Sequence, residues 1–218
     1  MAQLFCSILC RNAKDGSMIT NVSRFEQAFG KFDAANAADP NQDVFEGAIY
    51  PKELLYAKRM TTMLKHFEPD ASETLQLAVR CQHICRWEIP RNNYPMNRVG
   101  YKCWRIELYK FHGETAGGIM REVGYDEEMI VNVQALLRKE KLKTNPESQI
   151  LEDVVGLVFL QYYLADFVNK YGHFEEEKLL NILRKTWKKM SDKGHIAALK
   201  FNFSLELRAV INKVLAVA

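Results

Sequence analysis

The chain has 218 residues, of which 48% are hydrophobic and 26% are charged, and its formal net charge is +3. This composition is typical of one globular domain with a sizeable core, and so mild a charge does not by itself favour nucleic acid as a partner. No stretch reaches the roughly 18 consecutive apolar residues of a transmembrane helix, so we expect no membrane partner.

The spacing of apolar residues is helical along most of the chain, and turn residues separate the periodic segments. In chain order the spacing predicts nine helices, at 23–38, 51–66, 72–84, 99–123, 126–140, 146–171, 175–190, 195–199 and 204–217. Two prolines exclude a continuous helix between Trp87 and Asn97. No segment alternates convincingly between apolar and polar residues, so no strand is predicted.

Signals at the helix ends support this assignment. Ser23 and Glu26 have the spacing of a capping box, and Gly124 follows the fourth helix as a C-terminal cap. The predicted fold class is all-α, a single compact domain of several helices at 23–218. The preceding residues, 1–22, are interpreted as a short ordered segment or a frayed end rather than a signal peptide.

Cysteine usage indicates the redox environment. The five cysteines are an odd number, and Cys81 and Cys85 share one face of a predicted helix. Secreted disulfide frameworks have denser and more even spacing, so we expect a reducing compartment and a cytoplasmic location.

Polar residues interrupt apolar helix faces at three places, and burying such residues without partners costs about 1–3 kcal/mol each. These places are the segment 82–87, the segment 112–118 and the pair Glu152-Asp153. Histidine, carboxylate and arginine side chains from separate helices can together hold a metal ion or a phosphate. The signature motifs of P-loop enzymes, serine hydrolases and zinc proteases are absent from the sequence.

A structural interpretation stands beside each of these places. A histidine on an apolar face is often only a hydrogen-bonded core residue, and the two carboxylates can interact with the N-terminus of their own helix. The arginines at positions 86, 91 and 105 can form ordinary ion pairs. The basic clusters 138–143 and 184–189 suit an RNA or an acidic partner, but cations are also favoured at helix C-termini. Nucleic acid is therefore not the favoured partner.

Several segments together resemble the domain-of-unknown-function family 4202. They are 32–36, 51–56, 82–91, 94–96, 136–140 and 151–154. The string from Gln82 to Arg91 is the longest and most specific of them. The resemblance extends from about Phe25 to the C-terminus and implies little about chemistry.

The segment 111–125 more distantly resembles the middle of an HD-domain metal phosphohydrolase. This resemblance implies an HD-like fold and a divalent metal, Mn, Fe, Zn or Mg, near Glu53, His83, His112 and Asp153. The chain departs from the HD pattern at the His-Asp pair, where it has Gln82-His83, because glutamine is a poor metal ligand. Fold-level analogy does not establish the reaction.

The leading hypothesis is a metal-dependent phosphohydrolase that acts on a nucleotide-like phosphate ester. In it the metal activates a water molecule, and phosphate charge is neutralised by Arg86, Arg91 and Lys139. The expected partner is a phosphorylated small molecule. The alternative is a non-catalytic module that binds a ligand, RNA or a protein and retains a degenerate HD site.

Overall fold

The structure is a computed structural model, and it describes residues 22–140, 144–171 and 176–216. Within these ranges it contains ten α-helices and one two-stranded hairpin, so the all-α prediction is confirmed. The helices are α1 (Arg24–Ala37), α2 (Lys52–Phe67), α3 (Glu73–Arg80), α4 (Arg98–Glu122), α5 (Glu127–Leu137), α6 (Pro146–Tyr162), α7 (Leu164–Tyr171), α8 (Glu176–Trp187), α9 (Asp192–Leu199) and α10 (Leu205–Leu215). All but the last residue of the predicted N-terminal segment 1–22 lies outside the described residues.

The hairpin contradicts the prediction that the chain has no strand. Strands β1 (Gln42–Phe45) and β2 (Ala48–Pro51) pair antiparallel, with Phe45 opposite Ala48. Glu46 and Gly47 both have positive φ, 51° and 80°, which is the backbone of a two-residue hairpin loop. Four-residue strands are too short to give a clear alternation in the sequence.

Two helices end earlier than the apolar spacing predicts. Helix α3 stops at Arg80, and the apolar residues up to Ile84 belong to a turn. The predicted helix 146–171 is two helices, because the helical backbone is interrupted at Tyr163 between α6 and α7. Both breaks place polar side chains beside the pocket described below.

The core lies where α2 packs against α3 and α6, and where α4 packs along α5. Its largest fully buried side chains include Phe32, Met60, Leu77, Met120 and Ile130. None of the described helices is long and apolar enough to cross a membrane.

Candidate ligand-binding pocket

A pocket of about 510 Å³ lies between two groups of helices. Its charged side is formed by α2, the turn after α3, the first half of α4 and Lys139 just after α5, together with Glu152 of α6. Its other side is formed by residues from α6 to just after α8 and is mostly apolar, with Val155, Gly156, Phe159, Tyr163, Phe167 and Ile182, and with Thr186 and Lys189 as its polar members. Such a pocket suits a ligand that has one charged part and one apolar part.

The turn after α3 brings His83 and Arg86 to the pocket. The backbone N–H of Arg86 donates to the carbonyl of His83 at 3.1 Å, which closes the turn. Cys85 within it has a left-handed backbone, φ 51°, an unfavourable conformation for a residue with a Cβ. Such backbone strain is commonest at functional sites.

His83 is held between a carboxylate and a tyrosine ring. Its Nδ1 lies 3.3 Å from Oε2 of Glu53, and its ring stacks on Tyr56 with the centroids 4.2 Å apart. The hydroxyl of Tyr56 in turn donates to Oε1 of Gln82 at 2.9 Å. Burial raises the pKa of Glu53, against the opposing effect of nearby Arg86.

Four cationic side chains surround the His83 imidazole. Burial lowers the pKa of His83 well below its ordinary value, and four positive charges lower it further: Arg86, Arg105, Lys139 and Lys52, in decreasing order of effect. The ring is therefore neutral at pH 7. All four cations also line the pocket, so they form one positively charged region.

The two arginines of this region are not neutralised by a carboxylate at hydrogen-bonding distance within the described part of the chain. Arg86 contacts the ring of His83 and lies over Trp104 at 5.2 Å. Arg105 donates from Nε to the hydroxyl of Tyr109 at 3.1 Å. Their charge is therefore available to a ligand.

Lys139 forms an ion pair with Glu152 inside the pocket. Lys139 follows α5 in a left-handed conformation, φ 58°, where glycine is usual, and this directs its side chain inward. Burial lowers the pKa of Lys139, and the carboxylate of Glu152 opposes that shift. Lys139 is thus a pocket residue rather than part of a solvated basic cluster.

Four of the predicted site residues line this pocket together: Glu53, His83, Arg86 and Lys139. His112 lies next to them, with its ring centroid 5.9 Å from that of His83, but it is only 2% exposed. Its Nδ1 lies 2.8 Å from the carbonyl oxygen of Ile84, and its Nε2 has no partner among the described residues.

The other two predicted site residues, Arg91 and Asp153, do not line the pocket. Arg91 donates to the carbonyl oxygens of Tyr94 and Pro95, so it stabilises the loop before α4. Asp153 accepts hydrogen bonds from the backbone N–H and the hydroxyl of Ser191, at 2.7 and 2.6 Å.

Lys52 and Arg105 line the pocket although neither was predicted to bind a ligand, and Glu152 lines it as one member of the predicted Glu152-Asp153 pair. A signal existed for Arg105. Tyr101, Arg105 and Tyr109 are spaced four apart, so they share one helix face that is polar and aromatic. Lys52 carried no distinguishing signal, because it looks like any exposed lysine in a first helical turn.

Among the described residues, no group of three or more His, Cys, Asp or Glu side chains is placed to hold a metal ion. Of the four predicted ligands, only Glu53 and His83 contact each other. The Nδ1 of His112 faces the carbonyl oxygen of Ile84. Asp153 lies outside the pocket, where it binds Ser191. The donor set therefore does not fit the expected four-ligand site. The metal stays a prediction.

The family model "Domain of unknown function (DUF4202)" matches residues 26–211, so the chain belongs to this family. No curated protein and no solved structure matches the chain.

Proposed function

We propose that this protein binds a phosphorylated small molecule in the pocket between α2, α4 and α6. The observation that carries the proposal is the convergence of Lys52, Arg86, Arg105 and Lys139 around one neutral imidazole. Arginine donates two parallel hydrogen bonds to a phosphate, and lysine adds a compact positive charge.

The charge balance favours a phosphate monoester. Two carboxylates, Glu53 and Glu152, line the pocket beside these four cations and Lys189, which leaves three positive charges in excess when both carboxylates are ionised. A terminal phosphate carries close to two negative charges at pH 7, since its second pKa is about 6. A phosphodiester carries only one, so it matches this charge less well.

The apolar side of the pocket supports a nucleoside-like group on the same ligand. Phe159 and Phe167 pack edge to face there, with centroids 5.6 Å apart, and Tyr163 lies on the same side. Aromatic walls of this kind accept a flat heterocycle by stacking or by edge contacts. The volume of about 510 Å³ lies within the range of small-molecule sites.

Hydrolysis of the bound ester is a second candidate, because Glu53 and His83 form a carboxylate–imidazole pair at 3.3 Å. The imidazole of His83 is neutral and can accept a proton, and its lowered pKa makes it a weaker base than an ordinary histidine. In the reaction a water oxygen attacks phosphorus and passes its proton to the base. The bond between phosphorus and the ester oxygen breaks, and that oxygen leaves as an alcohol after taking up a proton.

The alternative of an RNA- or protein-binding module has less support. It depended on two basic clusters, 138–143 and 184–189. In the second cluster, Arg184 pairs with Glu177 and Lys189 lines the pocket. Lys139 points into the pocket and pairs with Glu152, while Lys141 and Lys143 lie outside the described residues.

Isothermal titration calorimetry with four probes tests the proposed binding. We expect adenosine monophosphate to bind at least about tenfold more tightly than cyclic adenosine monophosphate, adenosine or inorganic phosphate, because only it offers both a dianion and a ring. The other common ribonucleoside monophosphates are measured alongside. If none of the monophosphates binds, or if the cyclic diester binds equally well, the proposal is wrong.

A matched pair of arginine variants assigns binding to the pocket. Arg105→Gln removes a charge from the pocket and should weaken adenosine monophosphate binding about tenfold or more. Arg121→Gln removes an exposed charge that pairs with Glu127 and should leave the affinity unchanged. Equal effects of the two substitutions would place binding outside the pocket.

Phosphate release from the same nucleotide tests the second candidate. The assay is run with chelator and, separately, with added Mn²⁺, Mg²⁺, Fe²⁺ or Zn²⁺, beside His83→Gln. Release that His83→Gln abolishes, with nucleotide affinity retained, would support hydrolysis. Tight binding without release under any of these conditions would leave the protein as a binding module.

A further inference from the structure

One peptide group between the pocket residues His83 and Arg86 is held from both sides by buried side chains. The carbonyl oxygen of Ile84 lies 2.8 Å from Nδ1 of His112, which is on α4. The next N–H, that of Cys85, donates to Oδ1 of Asn36 on α1 at 3.0 Å. Both polar groups of the Ile84–Cys85 peptide are therefore satisfied by side chains from other helices.

The burial of the two side chains makes this arrangement rigid. Asn36 is 1% exposed and His112 is 2% exposed, so water does not compete for either bond. An unpaired peptide group at this depth would cost about 1–3 kcal/mol. The two bonds fix the plane of the peptide, since its N–H and its C=O point in opposite directions.

The peptide needs this support because the turn is strained. Cys85 has φ 51°, and a left-handed backbone costs about 1–2 kcal/mol for a residue with a side chain. Rotation of the Ile84–Cys85 peptide would relieve the strain, but it would also reorient the turn that carries His83 and Arg86. Both side chains line the pocket from this turn.

We propose that Asn36 and His112 are positioning residues that clamp the Ile84–Cys85 peptide and thereby set His83 and Arg86 for phosphate binding. The proposal rests on the proposed function of the pocket. It gives His112 a role different from that of a metal ligand. The working atom is Nδ1–H, which must donate because a carbonyl oxygen only accepts.

The state of the His112 ring agrees with this role. Burial, with a smaller effect of neighbouring His83, lowers the pKa of His112 to about 3, so the ring stays neutral across the physiological range. With the proton on Nδ1, the unprotonated Nε2 has no partner among the described residues. The hydrogen bond to Ile84 is thus the only polar bond that the described structure gives this side chain.

Two substitutions of His112 distinguish the roles of its two ring nitrogen atoms. His112→Asn keeps an N–H donor near the position of Nδ1 and removes Nε2, whereas His112→Leu removes both. We expect His112→Asn to bind adenosine monophosphate within about threefold of the wild type and His112→Leu to bind it at least about tenfold more weakly. Asn36→Leu should resemble His112→Leu, because it releases the N–H of the same peptide.

The His83 ring reports the position of the turn without any ligand. Its nuclear magnetic resonance signals, assigned with His83→Gln, should shift in His112→Leu and Asn36→Leu and stay close to the wild type in His112→Asn. Met120→Leu, another buried residue on α4, is the control and should change neither the signals nor the affinity. All measurements are made well below the melting temperature of each variant.

The outcomes distinguish the clamp from the function on which it rests. If the wild type does not bind the nucleotide, the proposed function fails, and the His83 signals still decide whether the clamp exists. A folded His112→Leu with unchanged His83 signals would overturn the clamp. Loss of affinity in His112→Asn equal to that in His112→Leu would assign the role to Nε2 and also overturn it.

Discussion

Two neighbouring carboxylates on α6 stabilise different parts of the molecule. Glu152 points into the pocket and pairs with Lys139, while Asp153 accepts hydrogen bonds from Ser191 at the start of α9. Successive residues of a helix point about 100° apart, which accounts for the separation. Gly194 leaves room for Asp153, because a Cβ there would lie 2.6 Å from its Oδ1.

Substitution of Asp153 should therefore change stability and leave binding unchanged. Asp153→Ala removes a carboxylate that holds Ser191, the N-cap residue of α9, and should lower the free energy of unfolding by about 2 kcal/mol. The affinity for adenosine monophosphate should stay within about twofold. Urea denaturation and calorimetry measure the two quantities. A large loss of affinity in folded Asp153→Ala would restore it as a ligand-binding residue.

The sequence identified the polar segments 82–87 and 112–118 and the pair Glu152-Asp153, but not which contacts each of their side chains makes. Glu53, His83, Arg86 and Lys139, which were predicted as site residues, all line one pocket, and their roles there stay predictions. Whether Glu152 or Asp153 reaches the pocket depends on how α6 is rotated about its axis relative to the neighbouring helices. That rotation is set by packing, which a single sequence does not specify.

At the scale of the elements, α4 contains one glycine that leaves no room for a larger side chain and another that does. A Cβ on Gly100 would collide with the backbone carbonyl of Pro95, in the loop that precedes the helix. A Cβ on Gly118 would meet no atom within 4 Å. The first glycine is therefore required by close packing of the backbone, and the second is not.

Alanine substitutions at these two positions should have opposite effects. Gly100→Ala should lower the free energy of unfolding by about 2 kcal/mol, because a backbone carbonyl cannot move aside as a flexible side chain can. Gly118→Ala should raise it by about 0.5–1 kcal/mol, since alanine favours a helix interior more than glycine does. Chemical denaturation of both variants checks this, and equal effects would contradict the close approach at Gly100.

Most of the helices were predictable because their apolar spacing extends over three or more turns, although α3 and α9 have only eight residues each. The hairpin was not, since its strands have four residues each and its outward side chains include Val44 and Ile49. Its inner side depends on a distant residue. The guanidinium of Arg59 lies over Phe45 at 4.9 Å and pairs with Asp43 at 3.4 Å. No local pattern in the sequence encodes that contact.

At the scale of the whole molecule, the buried His112 and the partly buried His83 couple folding to pH. Burial lowers the pKa of both His83 and His112, the latter to about 3. Below about pH 6.5 the unfolded chain protonates these rings while the folded protein keeps them neutral. Stability contributed by the neutral rings is thus fully present above the unfolded pKa and is lost as the pH falls below it.

Glu53 has the opposite effect on stability. Burial raises the pKa of Glu53, so the folded protein binds this proton at a higher pH than the unfolded chain does. Between the two pKa values the folded protein therefore becomes more stable as the pH falls. A single pH profile therefore mixes opposing contributions. Removal of one titrating ring isolates one of them, because the remaining groups are common to both proteins.

His112→Asn should flatten the pH dependence of stability. For one ring that titrates only in the unfolded chain, the free energy of unfolding falls by about 1.4 kcal/mol per pH unit. Between about pH 6 and pH 4, within the window set by the unfolded value of 6.5 and the folded value of about 3, the variant should show a slope smaller by that amount. Urea denaturation across this range gives both slopes. Equal slopes would mean that His112 takes up its proton in the folded protein, which would contradict a neutral ring that donates only through Nδ1.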